Sequence, residues 1–493
     1  MLLQVAQRPT SATSLPEALT AQILQHVPQQ ERLQQCATVC KAWASAAALA
    51  TIHVQQGLQE DHARRAVEGW LEKHAGHLES LQLSHSDTAM FVHQGLQLPW
   101  TKLAKLQRLQ LEDFNVTLPG EDDSSDSTPG AGPGSNSGSS SVVGTHMAPL
   151  LLPRLQHLQL SRVGLFSISS LLQLTGAGGL TSLRTNDISF AQFDYGTSHD
   201  NPKATVQQLA ATIPSLLQQL PRVSVLELPG FPMSAAAMQQ LGGMQGLLEV
   251  SLEHVDHMPP CELQHLPSSI TQLHFQGNLY GLGTGPAPPP QLQQLTGLLE
   301  LTVQYSLVQP AVLGSLTRLQ GLRLLTCRLP LLQGGEDFDT GATAALLDAL
   351  TKMTCLQDLY LSLDGLDTVS TAPQRFAALT TSTQLTRLAL NPDDKTPLPQ
   401  GAALYMFPAG RQLPFLEALT ISPTVDWRRD LGTGEEWCLD GTDIHSIVTC
   451  CTGLEELDIG HTVRPGADAC TDYSCILPAL RLSLCRRLSR SVT

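Results

Sequence analysis

From residue 78 onward the chain repeats one short pattern: an apolar position, two variable, an apolar, one variable, an apolar. The first copies read Leu78/Leu81/Leu83, Leu106/Leu109/Leu111, Leu155/Leu158/Leu160 and a degraded Leu180/Leu183. The pattern continues as Val223/Leu226/Leu228, Leu247/Val250/Leu252, Ile270/Leu273/Phe275, Leu298/Leu301/Val303 and Leu319/Leu322/Leu324. The last copies are Leu356/Leu359/Leu361, Leu385/Leu388/Leu390, Leu416/Leu419/Ile421, Leu454/Leu457/Ile459 and Leu477/Leu480/Leu482. Alternation within each copy is that of a strand with one buried face. Copies follow at steps of 24 residues (Val223 to Leu247), 23 (Leu247 to Ile270) and 28 (Ile270 to Leu298). Such a unit is too small to bury a core alone. It predicts stacked coils, each a short strand, a turn and a return segment.

A step of 20–29 residues with this pattern resembles the leucine-rich repeat. That family places Asn or Cys five positions after the second apolar residue, and this chain has Asn278, Cys327 and Cys485 there. These residues read as core groups that satisfy backbone at the turn, not as reactive thiols. The predicted fold is α/β, a short N-terminal helical module followed by a leucine-rich-repeat solenoid. Its expected form is a horseshoe with a parallel sheet on the concave face, about 14 repeats over residues 78–493. An insertion at 119–147 interrupts the array. Its centre, EDDSSDSTPGAGPGSNSGSSS at 121–141, has almost nothing to bury and predicts a disordered surface loop. Residues 281–290 and 334–341 predict further loops.

Ahead of the array, after a tail at 1–13, Ser14-Leu15-Pro16-Glu17 predicts a helix start, with Ser14 as cap and Glu17 reaching back. Leu19, Ile23 and Val27 recur at helical spacing with Leu24 beside them, and Pro28 ends the helix. A second short segment carries Leu33 and a third Val39 and Trp43. Three helices in about 40 residues are marginal by themselves and call for a neighbour. The run LPEALTAQILQHVPQQERLQQCATVCKAWASAAALA resembles an F-box, covering 14–55. The resemblance rests on Leu15, Pro16, Leu19, Ile23, Leu24, Val27, Pro28 and Leu33, and on the ending Val39-Cys40-Lys41-x-Trp43. Leu is commoner where Val27 stands. The resemblance implies docking on a Skp-type adaptor, and through it a cullin, by Leu15, Pro16, Leu19, Ile23, Leu24, Val27, Leu33, Val39, Cys40 and Trp43. It also implies that the repeats choose a protein substrate for a ubiquitin ligase. The bland alternative is a helical cap on the first repeat. A connecting helix is expected over 56–77.

Composition narrows the field. Aromatic residues are 4% and charged residues 15%, which suits many thin Leu-based layers better than one large core. The formal charge is −15, so phosphate backbones and anionic membranes are poor partners and a basic protein a better one. No stretch reaches the roughly 20 apolar residues that span a bilayer, and the start lacks the pattern of a secretory signal. The 11 cysteines form no disulfide framework. The expected compartment is cytoplasm or nucleus, with a ciliary axoneme or cytoskeletal location as the alternative.

Catalytic chemistry is hard to find. There is no Gly-Lys dipeptide for a phosphate loop, and Gly281-x-Gly283-x-Gly285 runs into prolines. His254, Asp256, His257, Cys261 and His265 are the metal-like cluster, interrupted by Pro259-Pro260 and read as a solvated loop. Neither an enzyme nor a cofactor is expected. Two further classes stay open: a plain leucine-rich-repeat scaffold, and a small-molecule receptor that would hold an inositol phosphate on a basic face. The second has only the scattered Arg108, Arg184, Arg323, Arg387 and Arg481 to offer. For the partner, alternation in the strands puts Glu227, Glu249, Glu253 and Glu300 on the exposed side, within roughly 15 Å of one another. That patch predicts a partner rich in Lys or Arg; the alternative is Glu as soluble filler.

Overall fold

The structure, a computed structural model, describes residues 21, 24, 26–27, 53–58, 61–85, 94–116, 118, 152–165, 168–175, 178–190, 202–253, 263–276, 292, 294–304, 319, 321–328, 340–362, 372–391, 401–421 and 441–458. The chain divides into two compact units, 1–223 and 224–493.

In the first unit, β1 (His53–Leu58), β2 (Ser80–His85), β4 (Arg108–Glu112), β6 (His157–Ser161) and β8 (Ser182–Asn186) pair in that order, all parallel. A second parallel sheet is made of very short strands: β3 (Gln94–Leu96), β5 (Phe114–Val116), β7 (Gly164–Leu165) and β9 (Ser189–Phe190). Return segments are α1 (Asp61–His74), α2 (Ile168–Thr175) and α3 (Pro202–Gln218). The second unit continues with β10 (Val225–Leu228), β11 (Glu249–Glu253), β12 (Gln272–Gln276), β13 (Glu300–Gln304) and β14 (Leu324–Arg328). It ends with β15 (Asp358–Ser362), β16 (Arg387–Asn391), β17 (Ala418–Ile421) and β18 (Glu456–Asp458). Each pairs in parallel with the next. Helices α4 (Ala235–Gly242), α5 (Thr340–Leu350), α6 (Ala402–Met406) and α7 (Gly441–Cys450) lie in its return segments.

The alternation is obeyed in most strands, and is weakest in β18, where Leu457 is only half-buried. Leu81 and Leu83 are fully buried, as are Leu109 and Leu111, Leu226 and Leu228, and Leu273 with Phe275, while the residues between them are partly exposed. A fully buried Leu contributes about 1.5–3 kcal/mol, so each added repeat extends the core by several such terms. The degraded copy still folds in: Thr185 sits at 1% exposure where other strands carry Leu.

Backbone satisfaction is equally periodic. One carbonyl per repeat accepts two amide protons from the next: Ser224 O takes the N–H groups of Leu248 (2.8 Å) and Glu249 (3.0 Å). Leu248 O takes those of Thr271 (2.8 Å) and Gln272 (3.0 Å). The same arrangement recurs at Glu79, Gln107 and Gln156 in the first unit. Both lone pairs of a carbonyl that would otherwise be orphaned at the strand entry are thereby used.

At the strand exits of the first unit, Asp113, Arg162 and Asp187 adopt φ of 65°, 50° and 51°. Left-handed backbone is uncommon for residues other than Gly, and least so for Asp and Asn. Interlocking bonds hold these corners. Asp113 N–H donates to Ser161 O (3.0 Å) and Arg162 N–H to Asn186 O (2.7 Å). The Arg162 guanidinium grips both Asp113 oxygens (2.5 and 2.8 Å) and Glu112 Oε1 (2.7 Å). Those hydrogen bonds to Asp113 raise the guanidinium further above its ordinary value.

Close approach demands glycine at two places in the second unit. A Cβ at Gly242 would lie 2.5 Å from His265 O, and one at Gly453 would run into the Pro414 carbonyl.

Three sequence expectations are corrected. The array opens at β1, not at residue 78, because Val54 pairs with Leu81 and is itself buried. The helix expected over 56–77 is α1, and it begins only after that strand. In β14 the inward pair is Leu325 and Cys327, which face Leu301 and Val303 of β13, while Leu324 is half-exposed. The copy is therefore Leu322/Leu325/Cys327, three residues later than the pattern suggested, and its step from Leu298 becomes 24 residues. Cys327 is thus a strand core residue and not the turn residue of its repeat; burial pushes its thiol up to about 12. The copy at Leu477/Leu480/Leu482, Asn278, Cys485 and the insertion at 119–147 lie outside the described residues.

Candidate partner-binding surfaces

Pairing fixes which side chains share the open face of each sheet. In the first unit one row runs Gln55, Gln82, Gln110, Gln159, Arg184, one residue per strand. Beside it runs Ser80, Arg108, His157, Ser182. This face is a ladder of amides and hydroxyls with two guanidinium groups. His157 lies directly across from Arg108, and its pKa is lowered by partial burial and then by that positive neighbour.

The second unit has a different face. Its first row runs Val225, Glu249, Gln272, Glu300, Leu324, Asp358, Arg387, Ala418, Glu456. Its second runs Glu227, Ser251, His274, Thr302, Thr326, Tyr360, Ala389, Thr420, Asp458. Of the four glutamates singled out in the sequence, Glu249 and Glu300 share a row with only Gln272 between them. Glu227 lies one strand before Ser251 in the next row, and Glu253 ends β11. All four are half-buried, and Glu227, Glu249 and Glu253 are engaged with neighbouring groups.

Toward the end of this face the side chains shrink and leave a depression of about 310 Å³. Its floor is Ala389, Ala418 and Thr420, with Tyr360 and Arg387 on one side and Glu456 on the other. Glu417 and Glu455, at the entries of β17 and β18, complete the rim. The Arg387 guanidinium donates to the Tyr360 hydroxyl, and that bond, with Asp358 and Glu417 nearby, raises its pKa. Asp358 in turn accepts from Thr386 Oγ1 at 3.0 Å. Sequence reasoning picked out Arg387 but missed the depression. The available signal was two alanines at outward strand positions, Ala389 and Ala418, where other strands carry larger polar residues.

The scattered arginines do not converge. Arg108 and Arg184 stand in different rows of the first unit, and Arg323 precedes β14, two strands from Arg387; Arg481 lies outside the described residues. Of the metal-like cluster only His265 is described, and no group of three metal-binding side chains occurs among the described residues. No described helix is long and apolar enough to cross a membrane.

Of the adaptor residues, Leu24 and Val27 are described, while Leu15, Pro16, Leu19, Ile23, Leu33, Val39, Cys40 and Trp43 lie outside the described residues. Leu24 is helical and 1% exposed, Ala21 beside it is buried, and Val27 N–H closes the turn on Leu24 O at 3.1 Å. Leu24 therefore belongs to this chain's own core.

Residues 13–53 match the F-box domain. The F-box domain is followed by the leucine-rich-repeat strands. Among curated proteins none matches the chain. Solved structures similar to it include an internalin, InlF, of Listeria monocytogenes: 16% identity, TM-score 0.45, covering 91% of this chain and 99% of that one. The functional domain of InlJ from the same organism gives 12%, 0.34, 76% and 69%. The leucine-rich-repeat ectodomain of the Arabidopsis thaliana receptor kinase GASSHO1/SCHENGEN3 gives 12%, 0.31, 85% and 45%. The repeat assignment rests on the strand register of this chain itself.

Proposed function

We propose that this protein is the substrate-recognition subunit of a Skp–cullin–F-box ubiquitin ligase, acting from the cytoplasm or nucleus. The observation that carries the reading is the F-box match at 13–53, which stops where β1 opens the repeat sheet. A module that ends at the first strand can hand an adaptor and a repeat surface to one another without a linker. The F-box supplies the adaptor contact through residues of its short helices, with Leu15, Pro16, Leu19, Ile23, Val39 and Trp43 foremost. The open face of the second unit takes a protein substrate with basic character, and Glu227, Glu249, Glu253 and Glu300 contribute to that contact. Nothing in this role needs a cofactor.

Co-expression with a Skp-type adaptor tests the reading. The wild-type chain is expected to co-purify with the adaptor. Leu15→Ala with Pro16→Ala is expected to abolish co-purification while the melting transition of the repeats stays within a few degrees of wild type. A double variant that retains the adaptor at wild-type yield would sink the assignment and leave a repeat scaffold with a helical cap.

A further inference from the structure

We propose that the depression over β16–β18 is the anchoring pocket for a lysine or arginine side chain of a protein partner. The inference rests on the reading of the repeats as a protein-binding array and names a particular place and chemistry on it. It lies toward the opposite end of the second unit's face from Glu227, Glu249, Glu253 and Glu300, with β14 between Glu300 and its Tyr360 wall.

Shape comes first. Along the first row Arg387, Ala418 and Glu456 occupy successive strands, so a methyl group stands between two long side chains. Along the second row Tyr360, Ala389, Thr420 and Asp458 do the same, with two small residues between two larger ones. Walls spaced across intervening strands stand roughly 10–15 Å apart at the backbone, the spacing of two to three parallel strands. One long side chain entering end-on fits that width. Its methylene stem would cover Ala389, Ala418 and the edge of Tyr360, as Lys and Arg stems do on apolar surface.

Charge then selects the occupant. The rim carries Glu417, Glu455 and Glu456 against a single cation, Arg387. That cation is already committed: it donates to Tyr360 and faces Asp358 and Glu417. Counted together, three carboxylates against one guanidinium leave the rim net negative, which disfavours an anionic group entering here. A cationic one would meet the carboxylates from two sides, with Tyr360 offering ring edge and hydroxyl oxygen. Carboxylates on a partly enclosed surface focus their field more than the same charges on a flat one.

The probe is a short fluorescent peptide with one central lysine among alanines and serines, compared with the same peptide carrying glutamine there. Binding to the full chain is read by anisotropy at about 50 mM and about 200 mM salt, so that screened and unscreened regimes are both covered. The lysine peptide is expected to bind about tenfold more tightly at low salt. Ala389→Leu with Ala418→Leu fills the floor from the solvent side and is expected to remove that preference without altering the melting curve. Glu455→Gln with Glu456→Gln is expected to lower it severalfold, and Glu249→Gln with Glu300→Gln to leave it within twofold. Equal binding of both peptides, or a lysine preference that survives filling of the floor in a folded variant, overturns the proposal. Adaptor capture on the same samples keeps the two readings apart. If capture persists while lysine preference fails, only the pocket is lost; if lysine preference holds while capture fails, only the ligase reading is lost.

Discussion

His157 shows how a single position in this array acquires a property from its neighbours. On β6 it sits between Arg108 of β4 and Ser182 of β8, and the parallel register leaves it no choice of company. Partial burial and then the guanidinium lower its pKa from 6.5, so the folded protein holds the imidazole neutral more firmly than the unfolded chain does. His74 of α1 is lowered too, by burial and then by Lys73 and His77. The sign follows from proton counting. Above pH 6.5 both states are unprotonated and the full stability is present; as pH falls below 6.5 the unfolded chain takes up the proton first, and stability is lost down to the folded pKa. The melting temperature is therefore expected to fall between about pH 7 and about pH 5.5, and His157→Gln to flatten part of that fall. Parallel profiles for variant and wild type would mean that His157 contributes nothing to it.

At the level of elements, the strands and their inward leucines were readable because alternation reports a one-sided core directly. The exceptions have local causes. β1 has the sequence HVQQGL, with Gln56 where other strands carry Leu; it is a strand because β2 offers it an edge, not because its own pattern demands one. Around β14 the run Leu319, Leu322, Leu324, Leu325 fits the pattern twice, and reading Cys327 as the turn residue selects the wrong frame. The strands β3, β5, β7 and β9 are two or three residues long, below any period. The left-handed corners at Arg162 and Asp187, and the contact that requires Gly453, depend on the adjoining repeat and leave no mark in sequence. The insertion shows the converse: β4 pairs with β6, and β5 with β7, in full register across it. Deleting residues 121–141 is expected to change only the length of the connection, worth about 1 kcal/mol of closure entropy. The shortened chain is expected to melt within a few degrees of wild type in one transition. Loss of cooperativity would show that the segment packs on the array.

Across the whole molecule, chemistry is distributed unevenly over a nearly uniform frame. A repeat array spends its apolar residues on stacking, so identity is left to the outward positions, and these differ between the units. The first unit presents amides, with Gln on four neighbouring strands, and the second presents Glu249, Glu300 and Glu227 within a few strands of one another. With −15 overall, a basic partner is drawn in from a distance, but attraction over such separations fades within a Debye length of about 8–10 Å at ordinary salt. Half-buried carboxylates that already have neighbours contribute to steering more than to holding. Exchanging Glu227, Glu249, Glu253 and Glu300 together for Gln is therefore expected to slow partner association severalfold at low salt and much less at moderate salt, with dissociation little changed. Stopped-flow or surface-capture kinetics at two salt concentrations, on protein whose melting curve is unaltered, would read this. Association rates that match wild type at both salts would remove these four glutamates from the binding surface. A change confined to dissociation would mean that they hold the partner by direct contact and do not steer it.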